Sequence, residues 1–133
     1  LTLQMAESLL RLGRIPQAIA HAAKVRRDGE KGQSTDLLGR AYLALGDSRR
    51  AIDLAALLLE EDPGDPRGLL LRGRARLAVG NAASAADDLR RYVRARPGDP
   101  AGYREFARCL EDLGRADEAE AQSRIGSLVE GGR

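Results

Sequence analysis

Leu45-Gly46-Asp47-Ser48-Arg49-Arg50-Ala51 decides the fold, because its pattern of an apolar residue, a glycine, four variable residues and an alanine returns three more times. It recurs as Leu12-Gly13-Arg14-Ile15-Pro16-Gln17-Ala18, Val79-Gly80-Asn81-Ala82-Ala83-Ser84-Ala85 and Leu113-Gly114-Arg115-Ala116-Asp117-Glu118-Ala119. The glycines lie 33, 34 and 34 residues apart. A fixed period of this length marks a repeat architecture, in which each unit buries its apolar face only against its neighbours. Each glycine closes an apolar-periodic stretch, where a helix stops most easily at a residue that accepts the left-handed backbone conformation.

Outward from these glycines, Asp62-Pro63-Gly64-Asp65-Pro66 and Arg96-Pro97-Gly98-Asp99-Pro100 separate one unit from the next. Asp65 and Asp99 are suited to cap the helices that follow, with Pro66 and Pro100 in the first turn. The first junction, Arg27-Asp28-Gly29-Glu30-Lys31-Gly32, has no proline and its unit is one residue shorter. Glycines within a charged stretch still mark a loop there. The pattern predicts eight helices, at about 1–12, 15–27, 34–45, 48–61, 66–79, 82–95, 100–113 and 116–129, with ends uncertain by a few residues. Short connections make consecutive helices antiparallel neighbours. Small residues fall where such helices cross: Ala6, Gly39, Gly73 and Ala107 on the first helices, opposite Ala18, Ala51, Ala85 and Ala119 on the second. Only a small side chain lets two helix axes approach closely.

Composition agrees with this reading. The 133 residues suit one domain, 1–133, with repeats at about 1–31, 32–65, 66–99 and 100–133. Ala and Leu supply most of the apolar share, with no Trp, one Phe and three Tyr, a mixture that favours helices. The 22 Lys and Arg nearly match 20 acidic residues, so a net charge of +2 gives no whole-molecule field drawing the chain onto nucleic acid or anionic membrane. The longest apolar run, Leu54 to Leu59, falls far short of the roughly 20 residues that span a bilayer, and direct membrane insertion is not expected. A single cysteine, Cys109, excludes an internal disulfide and fits a reducing compartment such as the cytoplasm, although many exported proteins also lack disulfides and localisation stays open. The first residue is Leu1 rather than Met, which reads as a segment of a longer protein.

In the second unit the spacing of Leu38-Gly39, Tyr42, Gly46, Ala51 and Pro63 resembles the tetratricopeptide repeat, and all four units align to that pattern over nearly the full chain. The resemblance implies an all-α fold, a right-handed α-solenoid of four antiparallel helix-turn-helix hairpins. Arg72 and Arg76 depart from it, standing where apolar residues are usual. So do Ser123 and Gly126 in the last helix, which is expected to form a polar cap.

The same resemblance implies a concave groove lined by the first helix of each hairpin. Carried onto this chain, it places Arg40, Arg74 and Arg108 at equivalent positions of three successive units, with Leu10, Leu43 and Leu77 nearby. Gln33, Asp36, Arg67, Leu70 and Arg104 complete the expected surface. Guanidinium groups beside leucines suit an acidic amphipathic segment or a free carboxylate, because arginine donates in a fork and is weakly hydrated. The plainer alternative is that these arginines only solvate a helix face. The row is bounded by Glu7 in the first unit and by Glu111 and Asp112 in the fourth. The family's clamp for chaperone C-terminal carboxylates combines lysines and asparagines with an arginine; Leu43 and Leu77 stand where an asparagine would help, which argues against that ligand.

Signatures of catalysis are absent: there is no phosphate-binding loop, no histidine pair at metal-ligand spacing and no Cys-x-x-Cys. His21 and Cys109 fall in units that do not adjoin, so they should not meet. Cys109 shares its repeat position with Ala41 and Ala75 and reads as a packing residue. Asp87 and Asp88 precede Arg90 and Arg91 at helical spacing, which predicts weak surface ion pairs. Arg90, Arg91, Arg94 and Arg96 form a basic cluster that the dipole of a helix C-terminus already favours. With Tyr42, Phe106 and Tyr103 at core positions, few aromatics remain to stack on bases. The sequence therefore predicts a binding module rather than an enzyme, with no cofactor, metal or nucleic-acid ligand. Its expected partner is a protein or peptide, acidic in character. The alternatives are self-assembly through the terminal hairpins, or a regulatory or substrate-recruiting role within a larger enzyme or export machine.

Overall fold

A computed structural model describes residues 2–28 and 31–132; Leu1, Arg133 and Gly29-Glu30 of the first inter-unit loop lie outside the described residues. The chain is all-helical among those residues. The elements are α1 (Leu3–Arg11), α2 (Ile15–Asp28), α3 (Gly32–Leu45), α4 (Ser48–Glu61), α5 (Pro66–Ala78), α6 (Ala82–Ala95), α7 (Pro100–Asp112) and α8 (Ala116–Gly131). The predicted ends hold to within two residues wherever both are described. Helix α3 begins earlier than expected, at Gly32, and α8 runs on to Gly131.

Local chemistry sets these boundaries. Gly13, Gly46, Gly80 and Gly114 all adopt positive φ, from 75° to 94°. At each, the next residue's N–H bonds back into the finished helix, as Asp47 N–H does to Tyr42 O at 2.8 Å and Asn81 N–H to Arg76 O at 2.8 Å. That closure satisfies carbonyls that a helix end leaves open. Asp65 and Asp99 cap as predicted, accepting from Arg67 N–H and Ala101 N–H at 3.0 Å. Asp47 and Asn81 do the same for α4 and α6.

Every helix packs on its neighbours in the chain, and α1, α3, α5 and α7 also pack on one another in succession. Among the described residues no second helix brings its backbone within 8 Å, Cα to Cα, of the second helix of an adjoining hairpin. The first helices therefore form a continuous inner layer, and the second helices are splayed outside it. The core is small-residue rich: Ala6, Ala18, Ala51, Ala85, Ala107 and Ala119 are all buried, as the crossing argument requires.

The glycines need a correction. Gly39 makes its closest approach not to the facing helix of its own hairpin but to Leu71 on α5, whose Cδ2 would lie 2.3 Å from an added Cβ. Gly73 does face its own hairpin, with Leu89 Cγ at 2.8 Å from such a Cβ. Gly68 and Gly102, which the repeat pattern does not single out, take the preceding hairpin instead, against Leu59 and Tyr92. On α8 only Ala119 and Gly126 are buried, while Ser123 and Ser127 face outward.

Arg72 and Arg76 have a structural reason. In the second unit Leu38, Tyr42 and Leu54 pack together in one apolar cluster. The residues 34 positions later are Arg72, Arg76 and Asp88. Asp88 is 2% exposed and accepts from Arg72 Nη2 and Nε at 2.7 and 3.0 Å and from Arg76 Nη1 at 2.9 Å. An apolar contact between α5 and α6 has been replaced by a satisfied ionic one, which corrects the expected surface pairing of Asp88 with Arg91. Asp87 does pair with Arg90, at 2.9 Å.

Candidate functional site

The inner layer carries the residues predicted for the groove, and its arginines are not equivalent. Arg40 on α3 is held by Glu7 on α1 through two parallel hydrogen bonds of 3.0 Å, and its Nε lies 3.3 Å from Asp36. Bidentate pairing of this kind is the strongest form of ion pair in water-exposed surroundings. Those hydrogen bonds hold the Glu7 carboxyl below its usual pKa and raise the Arg40 guanidinium. Burial pushes Asp36 the other way, upward, against the pull of Arg40 and Arg67.

On α5 and α7 the balance differs. Arg74 and Arg108 share one carboxylate, Glu105, each at 3.8 Å. That distance is beyond hydrogen bonding, so neither guanidinium is fully engaged. Arg108 is 68% exposed. Arg104 reaches Glu130 on α8 at 3.2 Å in an exposed pair of little energetic weight. Arg67 forks onto the helix cap Asp65 at 2.9 and 3.2 Å. Gln33 lines a recess of about 190 Å³ together with Glu7, Asp36 and Arg40.

The predicted leucines are only partly available. Leu43 packs against the cluster of Ala51, Ala55, Leu71 and Ala75, and Leu77 against that of Leu89 and Phe106. Leu70 is half-buried and contributes one face to a recess of about 240 Å³ between α3, α5 and the end of α6. Sequence reasoning missed three residues here. Glu105 decides how far the arginines are neutralised, and Tyr92 and Arg96 of the second-helix layer reach the inner surface at this recess. Tyr92 could have been found, since it stands 34 residues after the buried Leu58. Its hydroxyl donates a hydrogen bond to Asp99, and burial together with that bond pushes its pKa well up.

Other candidate chemistry disperses. Cys109 is completely buried, and burial, helped by Glu105, pushes its thiol up to about 11. Helix α2, which carries His21, and α7, which carries Cys109, do not touch. Among the described residues no cluster of three or more His, Cys, Asp or Glu side chains could hold a metal ion, and no helix is long and apolar enough to cross a membrane.

Stacked hairpins with glycine turns at this period and a charged inner face agree with the family comparison, in which the tetratricopeptide repeat model matches residues 3–66, 37–100 and 70–124. The chain belongs to the tetratricopeptide repeat family. Members of this family bind protein partners, and their fold is typically a non-catalytic interaction scaffold. Among solved structures, TTC0263, a thermophilic tetratricopeptide repeat protein of Thermus thermophilus, superimposes with a TM-score of 0.89 at 21% identity, over 96% of this chain and 72% of that one. A crystal structure of MamA gives 0.80 at 18% identity, over 96% and 75%. MamA MSR-1 gives 0.74 at 18%, over 96% and 74%. At such identities the likeness shows the fold alone. No curated protein sequence matches the chain.

Proposed function

We propose that this tetratricopeptide repeat chain is a non-catalytic adaptor that holds an acidic segment of a partner protein along the inner faces of α3, α5 and α7. The observation that carries this is the unequal neutralisation of the arginine row. Arg40 is paired with Glu7 at 3.0 Å and flanked by Asp36 at 3.3 Å, whereas Arg74 and Arg108 divide one carboxylate at 3.8 Å. A partner's carboxylates complete a charge balance that the chain leaves open there. The helices are already in place, so the ordering cost of binding falls on the partner segment alone. Peptide display against the immobilised chain tests the reading. Acidic sequences are expected to be enriched, and to be lost with Arg74→Glu and Arg108→Glu while helicity is unchanged. Enrichment without acidic bias, or acidic peptides retained by the double variant, would remove the arginines from the mechanism.

A second reading, pairing of copies through terminal hairpins, draws on Ile125 and Leu128, which lie one turn apart on α8 and are 39% and 76% exposed. Sedimentation across a concentration series, with and without Leu128→Glu, separates it from the first.

A further inference from the structure

We infer that the recess between α3, α5 and the end of α6 is a single-residue anchor that takes a glutamate side chain, its carboxylate on Arg74 and Arg96 and its methylenes on Leu70 and Leu71. The inference deepens the acidic-segment reading above and rests on it. Two buried guanidinium nitrogens, Nε of Arg40 and Nε of Arg74, have no hydrogen-bond partner, and both belong to residues lining this recess. Asp36 lies 3.3 Å from the first, off the hydrogen-bonding direction, and Glu105 lies 3.8 Å from the second. Buried donors are almost always satisfied; with Asp36 beside Arg40, it is Arg74 that is left short of an acceptor.

The charge on the walls points the same way. Arg40, Arg67, Arg74 and Arg96 contribute four guanidinium groups, against the single carboxylate of Asp36. Arg40 and Arg67 are committed to Glu7 and Asp65. The surplus is therefore that of Arg74 and of Arg96, whose exposed side chain makes no hydrogen bond or ion pair among the described residues. The volume of about 240 Å³ is smaller than the roughly 300–1,000 Å³ of sites that enclose a small molecule, and fits one side chain. Glutamate is favoured over aspartate because the recess presents apolar wall beside its guanidinium groups. Leu70 and Leu71 offer apolar surface to the two methylenes that carry its carboxylate.

The test follows the arginine Nε–Hε resonances of the intact chain by nitrogen-15 correlation spectroscopy. The chain is titrated with N-acetylglutamate N-methylamide, its glutamine and aspartate counterparts, N-acetylleucine as a free terminal carboxylate, and inorganic phosphate. The expected result is a saturating shift at Arg74 and Arg96 with the glutamate probe alone. Arg96→Ala should weaken that binding about tenfold, the loss of one charge-assisted contact, with helicity unchanged. No saturating shift, equal shifts at the exposed Arg49, or equal response to aspartate, phosphate or the terminal carboxylate would each overturn the proposal. Displayed peptides separate this outcome from failure of the groove itself. If Arg108→Glu abolishes their capture and Arg96→Ala does not alter it, the recess falls and the groove stands. If the glutamate probe saturates the recess but no acidic peptide is enriched, the anchor stands and the wider reading falls.

Discussion

Replacing Asp88 by asparagine should be among the most damaging single changes in the chain, although the residue lies far from the groove. Asp88 is 2% exposed and accepts from three donor groups of Arg72 and Arg76. Removing one partner of a buried ion pair costs about 3–5 kcal/mol, because the charges left behind have lost their compensation. Here the two arginine side chains remain 21% and 29% exposed and can turn partly to water, which lowers the expectation to about 2–4 kcal/mol. For a chain of 133 residues that corresponds to a fall of about 10 °C in melting temperature. Urea unfolding followed by far-ultraviolet circular dichroism measures it, with the slope recorded as well as the midpoint because repeat arrays can lose cooperativity. The companion variant Arg72→Leu, Arg76→Tyr, Asp88→Leu copies the apolar cluster of Leu38, Tyr42 and Leu54 into the third unit. Replacing a buried ionic group by fitted apolar side chains is neutral or stabilising by about 1–4 kcal/mol. A cost below about 1 kcal/mol for Asp88→Asn, or a loss above about 2 kcal/mol for the triple variant, would refute the reasoning.

Gly39→Ala should destabilise by about 1–3 kcal/mol in the same assay, despite the better helix propensity of alanine, because its Cβ would lie 2.3 Å from the Cδ2 of a Leu71 that is itself buried. Glu7 has a lowered pKa in the folded chain, so its stabilisation is complete above the usual value of 4.5 and is lost as pH falls through the lower folded value. Glu7→Gln should therefore be less stable than the parent at neutral pH and converge on it in acid, which unfolding measured between about pH 7 and pH 3 reports. Cys109, buried and with its thiol pushed up to about 11, should resist iodoacetamide at pH near 8 in the folded chain and react promptly in urea, as mass spectrometry of the alkylated product shows.

Turn chemistry was the most legible part of the molecule. Gly13, Gly46, Gly80 and Gly114 all needed the left-handed conformation, a requirement written in the residue itself, and the helix ends followed from them. The partner of Gly39 was not legible, because the gap is filled by a leucine of the next unit and depends on how two hairpins lean together. The site divided in the same way. The family resemblance, carried along the repeat register, put Arg40, Arg74 and Arg108 on the inner layer. How far each is neutralised depends on Glu7 and Glu105, which come from a different unit or a different register position. Arg72, Arg76 and Asp88 each looked anomalous separately; comparing them with Leu38, Tyr42 and Leu54 at the 34-residue offset is what joins them.

The backbones of the first helices approach in succession while those of the second helices are farther apart, so the array has a spine on one side and wider spacing on the other. Bending it moves little along the spine and mostly changes that spacing. A segment that drew α3, α5 and α7 together would be expected to spread α4, α6 and α8, in the manner of a hand closing on a rod while its knuckles part. If the proposed segment binds there, the expected consequence is a change in span between α2 and α8, which a pair of labels on those two helices would report.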